Sequence, residues 1–279
     1  MPELPEVETT KNALAKGIGC CRILDACVFE NRLRISIPDD FKQRILHASI
    51  LSYTRIAKYI VIKLSNNLDI ICHLGMSGKF KLSYQNPPYR EKHDHVFIFT
   101  ENGTLIFNDP RRFGLLTYIE DSQLSNSSFF AKLGLDPFSP NLSPQYLWEK
   151  LKNKNIPIKV VLLDQSIIAG IGNIYASEIL FDAHISPLRI AHDISLKECY
   201  FLIESTKKIL QKAIDAGGST LRDYHKPDGS EGYFQFMHCV YNKTGQPCIN
   251  CSCHLNETGG IQKIVQAGRS SFYCATKQK

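Results

Sequence analysis

A chain of 279 residues, 43% hydrophobic and 22% charged, can bury a sizeable core and suits two domains. Its formal net charge of +6 favours a polyanionic partner. No apolar run reaches the roughly 18 residues of a membrane span, and acids stand where a signal peptide carries bases, so a cytosolic protein is expected rather than a membrane-spanning or exported one.

In chain order, Val7, Ala13 and Leu14 predict a helix from Pro5 to Lys16. Short apolar runs then predict strands at Tyr59–Leu64, Leu68–Cys72, His95–Thr100, Thr104–Phe107 and Leu115–Ile119, with turns at Ser65-Asn-Asn67 and Glu101-Asn-Gly103. This spacing predicts antiparallel sheet arranged as a sandwich. Leu133-Gly-Leu-Asp-Pro-Phe-Ser-Pro140 punctuates the chain like a linker. Helices are predicted beyond it at Gln145–Asn153, Ile158–Asp164, Ile174–Ala183 and Ser195–Ala216, the last ended by Gly217-Gly218. A polar loop through Tyr233 leads to a basic tail, where Lys243, Lys263, Arg269, Lys277 and Lys279 face Glu257 alone.

Chemistry is suggested first at the N-terminus. Once Met1 is removed, Pro2 becomes a secondary amine, which attacks an aldehyde carbon to give a cationic iminium. An ordinary α-amino group titrates at roughly 8, so a modest shift leaves much of it neutral. The octet Met1-Pro-Glu-Leu-Pro-Glu-Val-Glu8 equally suits a helix start, with proline in the first turn and acids at its positive end. Taken alone, the residues leave both readings open. Cys20, Cys21, Cys27, Cys72, Cys199 and Cys239 are scattered and read as buried free thiols in a reducing compartment. Cys248, Cys251, Cys253 and Cys274 crowd the tail and suggest a metal.

The octet, together with His73-Leu-Gly-Met-Ser-Gly78, Lys92-His-Asp-His95, Asn108-Asp-Pro-Arg-Arg-Phe-Gly114, Gly170-Ile-Gly-Asn-Ile-Tyr-Ala-Ser-Glu178 and Gly268-Arg-Ser-Ser-Phe-Tyr-Cys274, resembles the landmarks of the formamidopyrimidine-DNA glycosylase family, in order and over almost the whole chain. The resemblance implies an α+β protein in three parts. An N-terminal catalytic β-sandwich with flanking helices covers 1–133, a helix-two-turns-helix DNA-binding domain with a lesion-capping loop covers 134–237, and a zinc-finger-like β-hairpin covers 238–279. The implied activity is base-excision repair by a bifunctional DNA glycosylase and AP lyase. It would remove 8-oxoguanine and formamidopyrimidines from double-stranded DNA through a Schiff base at Pro2 and β,δ-elimination, as a cytoplasmic, nucleoid-associated monomer.

Residue by residue, the family pattern makes Pro2 the attacking amine, Glu3 the general acid/base and Lys58 the proton donor in β-elimination. Arg269 matches the arginine that grips the phosphates flanking the lesion and assists the second elimination. Met76, Arg111 and Phe113 match the side chains that fill the gap left by an extruded nucleotide, and Glu6, His93 and Asn173 match DNA-contacting positions. On their own, Lys58 reads as an exposed strand-end lysine, and Met76 and Phe113 read as core residues near turns. The string Arg55-Ile-Ala-Lys58 has Ile56 where the family usually has a second basic residue. Where the family often has a DNA-contacting lysine before the Ile158-Lys159 segment, this sequence has Asn155 with Lys154 adjacent, so these two match only a weaker DNA-binding position. Ser219–Tyr233 resembles the loop that closes over an extruded oxidised purine.

The tail departs most. Cys248-Ile-Asn-Cys251 supplies one zinc knuckle, but Cys274-Ala-Thr-Lys277 has lysine at the usual fourth ligand. One structural zinc ion is therefore expected on Cys248, Cys251 and Cys274 with Cys253 or His254 as fourth donor, against a metal-free hairpin. The rival readings are an endonuclease VIII-like glycosylase for oxidised pyrimidines, disfavoured by Leu4 and the Ser219–Tyr233 segment, and a catalytically silent nucleic-acid binder, disfavoured by Pro2, Glu3, Lys58 and Arg269 standing intact together.

Overall fold

The computed structural model describes residues 1–221, 224–249, 251 and 255–279. The chain divides into two compact units, one formed by Met1–Ala131 with Ile214–Gln235 and the other by Lys132–Ala213 with Phe236–Lys279.

The first unit begins with helix α1 (Leu4–Gly17). Glu3 is its N-cap and forms a reciprocal capping box with Glu6, whose carboxylate accepts the Glu3 N–H at 2.8 Å. Next come β1 (Ile23–Val28), the short α2 (Phe41–Ile45), β2 (Ile50–Ile56), β3 (Tyr59–Leu64), β4 (Leu68–His73), β5 (Lys79–Ser83), β6 (Asp94–Thr100), β7 (Gly103–Asn108) and β8 (Leu115–Glu120). They pair antiparallel into two four-stranded sheets, ordered β1-β6-β7-β5 and β2-β3-β4-β8. Side chains from both sheets, among them Ile23, Ile60, Ile70, Phe80, Ile98 and Phe107, share one buried cluster with Val7 and Leu14 of α1. A sandwich is thus the outcome, as the strand spacing predicts.

The inner strands β3, β4, β6 and β7 read as nearly continuous apolar runs because both their faces are covered. Of the four edge strands, β8 keeps the buried apolar start Leu115-Leu116, but β1, β2 and β5 are only partly buried, and Asp25, Arg55 or Lys79 and Lys81 interrupt their patterns. That is why sequence periodicity passes over these edge strands, and over the five-residue α2.

In the second unit, Ser143 caps α3 (Pro144–Leu151) by accepting the Tyr146 N–H at 3.1 Å. After it come α4 (Ile158–Leu162), α5 (Asn173–Asp182) and the 20-residue α6 (Leu196–Asp215), which buries Cys199, Leu202, Ile203, Thr206, Ile209, Leu210 and Ala213 at helical spacing. The tail holds α7 (Leu255–Thr258) and the antiparallel hairpin of β9 (Gln262–Gln266) and β10 (Arg269–Tyr273). Phe181, Val240, Ile261 and Phe272 pack with Cys248 and Cys274 into a small core of their own.

The expectation that all six scattered cysteines are buried needs correction. Cys21, Cys72 and Cys199 are buried, Cys27 and Cys239 are half-buried, and Cys20 is exposed. Cys20 lies in the bend after Gly19 and faces solvent, whereas Cys21, next to the Arg22–Ser49 bridge, joins the core cluster. Among the described residues, no helix is long and apolar enough to cross a membrane.

Candidate active site

Pro2 and Glu3 are buried at the start of α1, and Met1, half exposed, is still joined to Pro2 as an amide. The secondary amine therefore forms only on removal of Met1. Glu6, expected among the DNA contacts, is 1% exposed. One of its carboxylate oxygens accepts the Glu3 N–H and the other accepts the Ser219 N–H, each at 2.8 Å. Glu6 thus braces the N-terminal turn against the 214–235 segment. Gly218 (φ +80°) fits against it because a Cβ there would stand 3.0 Å from the Glu6 carboxylate. The Tyr224 hydroxyl donates to the Glu6 carbonyl at 3.3 Å, and the Leu82 N–H donates to Pro227 O at 3.1 Å. The segment is therefore laid onto α1 and β5 at several points.

Lys58 sits in the turn between β2 and β3 after Ala57 (φ 53°) and is only 7% exposed, unlike an ordinary strand-end lysine. Arg55 braces that turn against α1, donating to the Glu8 carboxylate at 2.8 Å and to the Ala57 carbonyl at 3.1 Å. Burial works against the Glu8 charge, but hydrogen bonds and charge from Lys11 and Arg55 hold its carboxyl below the usual range. His73 is pushed down to about 4 by burial, and then by the charges of Lys58 and Arg34. It is neutral near pH 7, and its Nδ1 accepts the Gly75 N–H at 2.9 Å, so its proton rests on Nε2.

Met76 and Phe113 are 38% and 45% exposed, which a core reading does not allow. The Arg111 guanidinium lies 4.9 Å from the centre of the Phe113 ring. Gly75 (φ +63°) carries the Met76 turn past the backbone of Phe113 so closely that a Cβ would fall 2.4 Å from its carbonyl group. His93 (φ 70°) lines a cleft of about 290 Å³ with Phe29, Arg90, His95 and Arg112.

In the second unit, Asn173 is the first residue of α5, and Lys159 holds its side chain. The Lys159 ammonium, 1% exposed, donates to Asn173 Oδ1 at 2.6 Å and to the Ser270 carbonyl at 2.9 Å. Asn173 Nδ2 donates to the same carbonyl at 3.0 Å, which ties the helix start to β10 beside exposed Arg269. Sequence reasoning missed Lys159. Its signal is a lysine inside the apolar run Ile158-Lys-Val-Val-Leu162, where a buried charge must find partners. Lys154 is half-buried with its ammonium 4.0 Å from Asp164, and Asn155 is exposed. On α5, the buried Glu178 accepts the N–H groups of Cys239, Val240 and Tyr241 at 2.8, 3.0 and 2.8 Å, anchoring the root of the tail.

The Sγ atoms of Cys248, Cys251 and Cys274 all lie within 4.8 Å of one another, and Cys251 and Cys274 are 3.7 Å apart. A zinc–thiolate tetrahedron with bonds of ~2.3 Å has an edge of about 3.8 Å, so these three donors fit a zinc ion. Lys277 stands 4.5 Å over the Phe181 ring. Cys253 and His254 lie outside the described residues.

Residues 1–116 match the family described as formamidopyrimidine-DNA glycosylase N-terminal domain, and residues 133–225 match the formamidopyrimidine-DNA glycosylase H2TH domain. A Rickettsia bellii protein named formamidopyrimidine-DNA glycosylase is 44% identical over 282 residues, covering all of both chains. Two solved structures of Lactococcus lactis Fpg are 33% identical. One, bound to DNA with an abasic site, has a TM-score of 0.90 over 99% of each chain. The other, bound to DNA with an oxidised pyrimidine, has a TM-score of 0.89 over 100% of each.

Proposed function

The chain belongs to the formamidopyrimidine-DNA glycosylase family, and from that premise we propose that it is a bifunctional base-excision repair enzyme acting on oxidised purines in duplex DNA. The observation that carries this reading is local to the first unit, where Pro2 and Glu3 are buried at the head of α1 and Lys58 is buried in a braced turn of the sheet that α1 packs against. Glu3 also caps α1, but a lysine is rarely buried in a turn, and its burial near the head of that helix supports a chemical role.

With Met1 removed, the Pro2 nitrogen attacks C1′ of the damaged nucleotide and displaces the base, which leaves with a proton; the C1′–O4′ bond then opens as O4′ takes up, through Glu3, the proton lost from the Pro2 nitrogen, and C1′ becomes an iminium carbon. The resulting iminium makes the C2′ proton acidic. Its loss breaks the C3′–O bond, with Lys58 serving proton transfer, and a second elimination aided by Arg269 breaks the C5′–O bond. Met76, Arg111 and Phe113 fill the gap in the duplex, at a cost of about a few kcal/mol per unstacked step. His93, Asn173 and, more weakly, Lys154 or Asn155 hold the backbone, while Glu6 acts from inside by bracing the capping loop Ser219–Tyr233. In this scheme 1–133 is the catalytic domain, 134–237 the helix-two-turns-helix domain and 238–279 the finger, and the enzyme works as a cytoplasmic monomer.

Cys248, Cys251 and Cys274 would hold one zinc ion, with Cys253 or His254 as fourth donor. The ion would supply folding energy to the hairpin that carries Arg269. A duplex with a single 8-oxoguanine tests the proposal. Nicking and a borohydride-trapped adduct are expected, and equal trapping by Pro2-substituted protein would remove Pro2 as nucleophile. Specific binding without a nick would favour the silent binder. Preference for oxidised pyrimidines over 8-oxoguanine would favour the endonuclease VIII-like reading.

A further inference from the structure

Met76 and the Arg111–Phe113 pair sit on separate loops, and one buried carboxylate joins the two. Asp109 is 0% exposed. Its Oδ1 accepts the Ser77 hydroxyl at 2.6 Å and the Arg111 N–H at 3.2 Å, and its Oδ2 accepts the Gly114 N–H at 2.7 Å. The donors are therefore the residue after Met76, Arg111 itself and the residue after Phe113. Ser77 Oγ also accepts the Arg111 N–H at 3.2 Å, which closes a small ring of bonds. The Asp109 backbone is engaged as well. Its N–H donates to His93 O at 3.1 Å, and its carbonyl accepts from His95 Nε2 at 2.7 Å.

We propose that Asp109 is a positioning residue that assembles Met76, Arg111 and Phe113 into one rigid wedge before a duplex arrives. The inference rests on reading those three side chains as the group that fills the gap left by an extruded nucleotide. Three fillers on independently moving loops would each have to be ordered at the moment of insertion, whereas fillers fixed in advance leave that ordering to folding. A carboxylate suits the position because it only accepts hydrogen bonds, and here three donors from two loops converge on it. Asn can reproduce part of this. Its Oδ1 still accepts from Ser77 and Arg111, but its amide NH2 would face the Gly114 N–H, donor against donor.

The test compares two substrates, a duplex carrying one 8-oxoguanine and a single-stranded oligonucleotide with a preformed abasic site, which needs no wedge. The proteins are wild type, Asp109→Ala, Asp109→Asn, Ser77→Ala, Met76→Ala and the double variant Met76→Ala/Asp109→Ala. Asp109→Ala should lose 10- to 100-fold in kcat/KM on the duplex and stay within about twofold on the single strand, with Asn between Ala and wild type. In the double variant, loss of Asp109 should cost much less than it does with Met76 in place. Equal losses on both substrates, or fully additive losses in the double variant, would overturn the role of Asp109. Should Asp109→Ala fail to fold, Ser77→Ala, which cuts only the strut between the loops, must show the same duplex-selective loss. If Met76→Ala leaves duplex cleavage unchanged, the wedge reading itself falls.

Discussion

Glu178→Gln gives the sharpest test of how the tail is held. The native carboxylate is 1% exposed and accepts three backbone N–H groups, two on Oε1 from Val240 and Tyr241 and one on Oε2 from Cys239. Burial raises its pKa, and the three N–H bonds and Lys243 oppose that rise. Gln keeps an acceptor for Val240 and Tyr241, but as neutral bonds worth ~1 kcal/mol in place of charge-assisted ones worth ~2 kcal/mol. At Cys239 the Gln NH2 meets an N–H, leaving a buried donor unpaired at ~2 kcal/mol. The gross loss of about 4 kcal/mol is offset in part because a charge is no longer buried. A net loss of about 2 kcal/mol lowers Tm by roughly 4–8 °C. The same change frees the root of the segment that leads to Arg269. Excision on an 8-oxoguanine duplex should therefore fall at least tenfold, while trapping on a single-stranded abasic oligonucleotide changes little. A Tm within 1 °C of wild type together with duplex activity within about twofold would refute the reasoning, because the three bonds would then carry no structural weight.

Gly75→Ala places a Cβ 2.4 Å from the Phe113 carbonyl group at φ +63°, costing ~1–2 kcal/mol for the left-handed backbone and displacing a filler loop by about 1 Å, so a loss of ~10²-fold in duplex excision is expected. Wild-type rates in this variant would show that the loops need not touch. Protein as purified should carry about one zinc ion per chain by elemental analysis, and Cys274→Ala none; full metal content in that variant would remove Cys274 from the site. His73 and His238 are both pushed down to about 4, chiefly by burial, so the unfolded chain binds the extra protons and stability falls as pH drops from about 6.5 toward 4. Asp69, raised to about 6 by burial and by Asp121, acts oppositely as pH falls below about 6 and offsets part of that loss. Thermal scans should show a lower Tm at pH 5 than at pH 7, and a flat or rising Tm would contradict the burial of neutral histidines.

The strings to which the proposed chemistry is assigned stand out in the sequence because each is short and contiguous, with Pro2 beside Glu3 and Met76 on a Gly75/Ser77 turn. The inner strands are legible because burial on both faces writes itself as an apolar run. What periodicity cannot display is a group whose value depends on a distant partner. Lys159 matters through Ser270, 111 residues away, and Glu178 through Val240, 62 residues away. Each leaves one local trace, a charged residue inside an apolar stretch, which requires compensation without naming it. Lys277 is the converse case. In sequence it is only a missing ligand, but in the structure it has a place of its own over Phe181, next to a second anchor. Gln278, 2% exposed, accepts the Cys274 N–H at 2.8 Å and donates to the Ile185 carbonyl at 2.8 Å, while the Lys279 N–H donates to His184 O at 3.1 Å. The end of the chain is thus bound to the turn after α5 by hydrogen bonds on the protein side of Cys274. The lysine at the usual fourth-ligand position thus belongs to a short tail that ties the Cys274 backbone to the turn after α5, a hold on that cysteine which is independent of any metal.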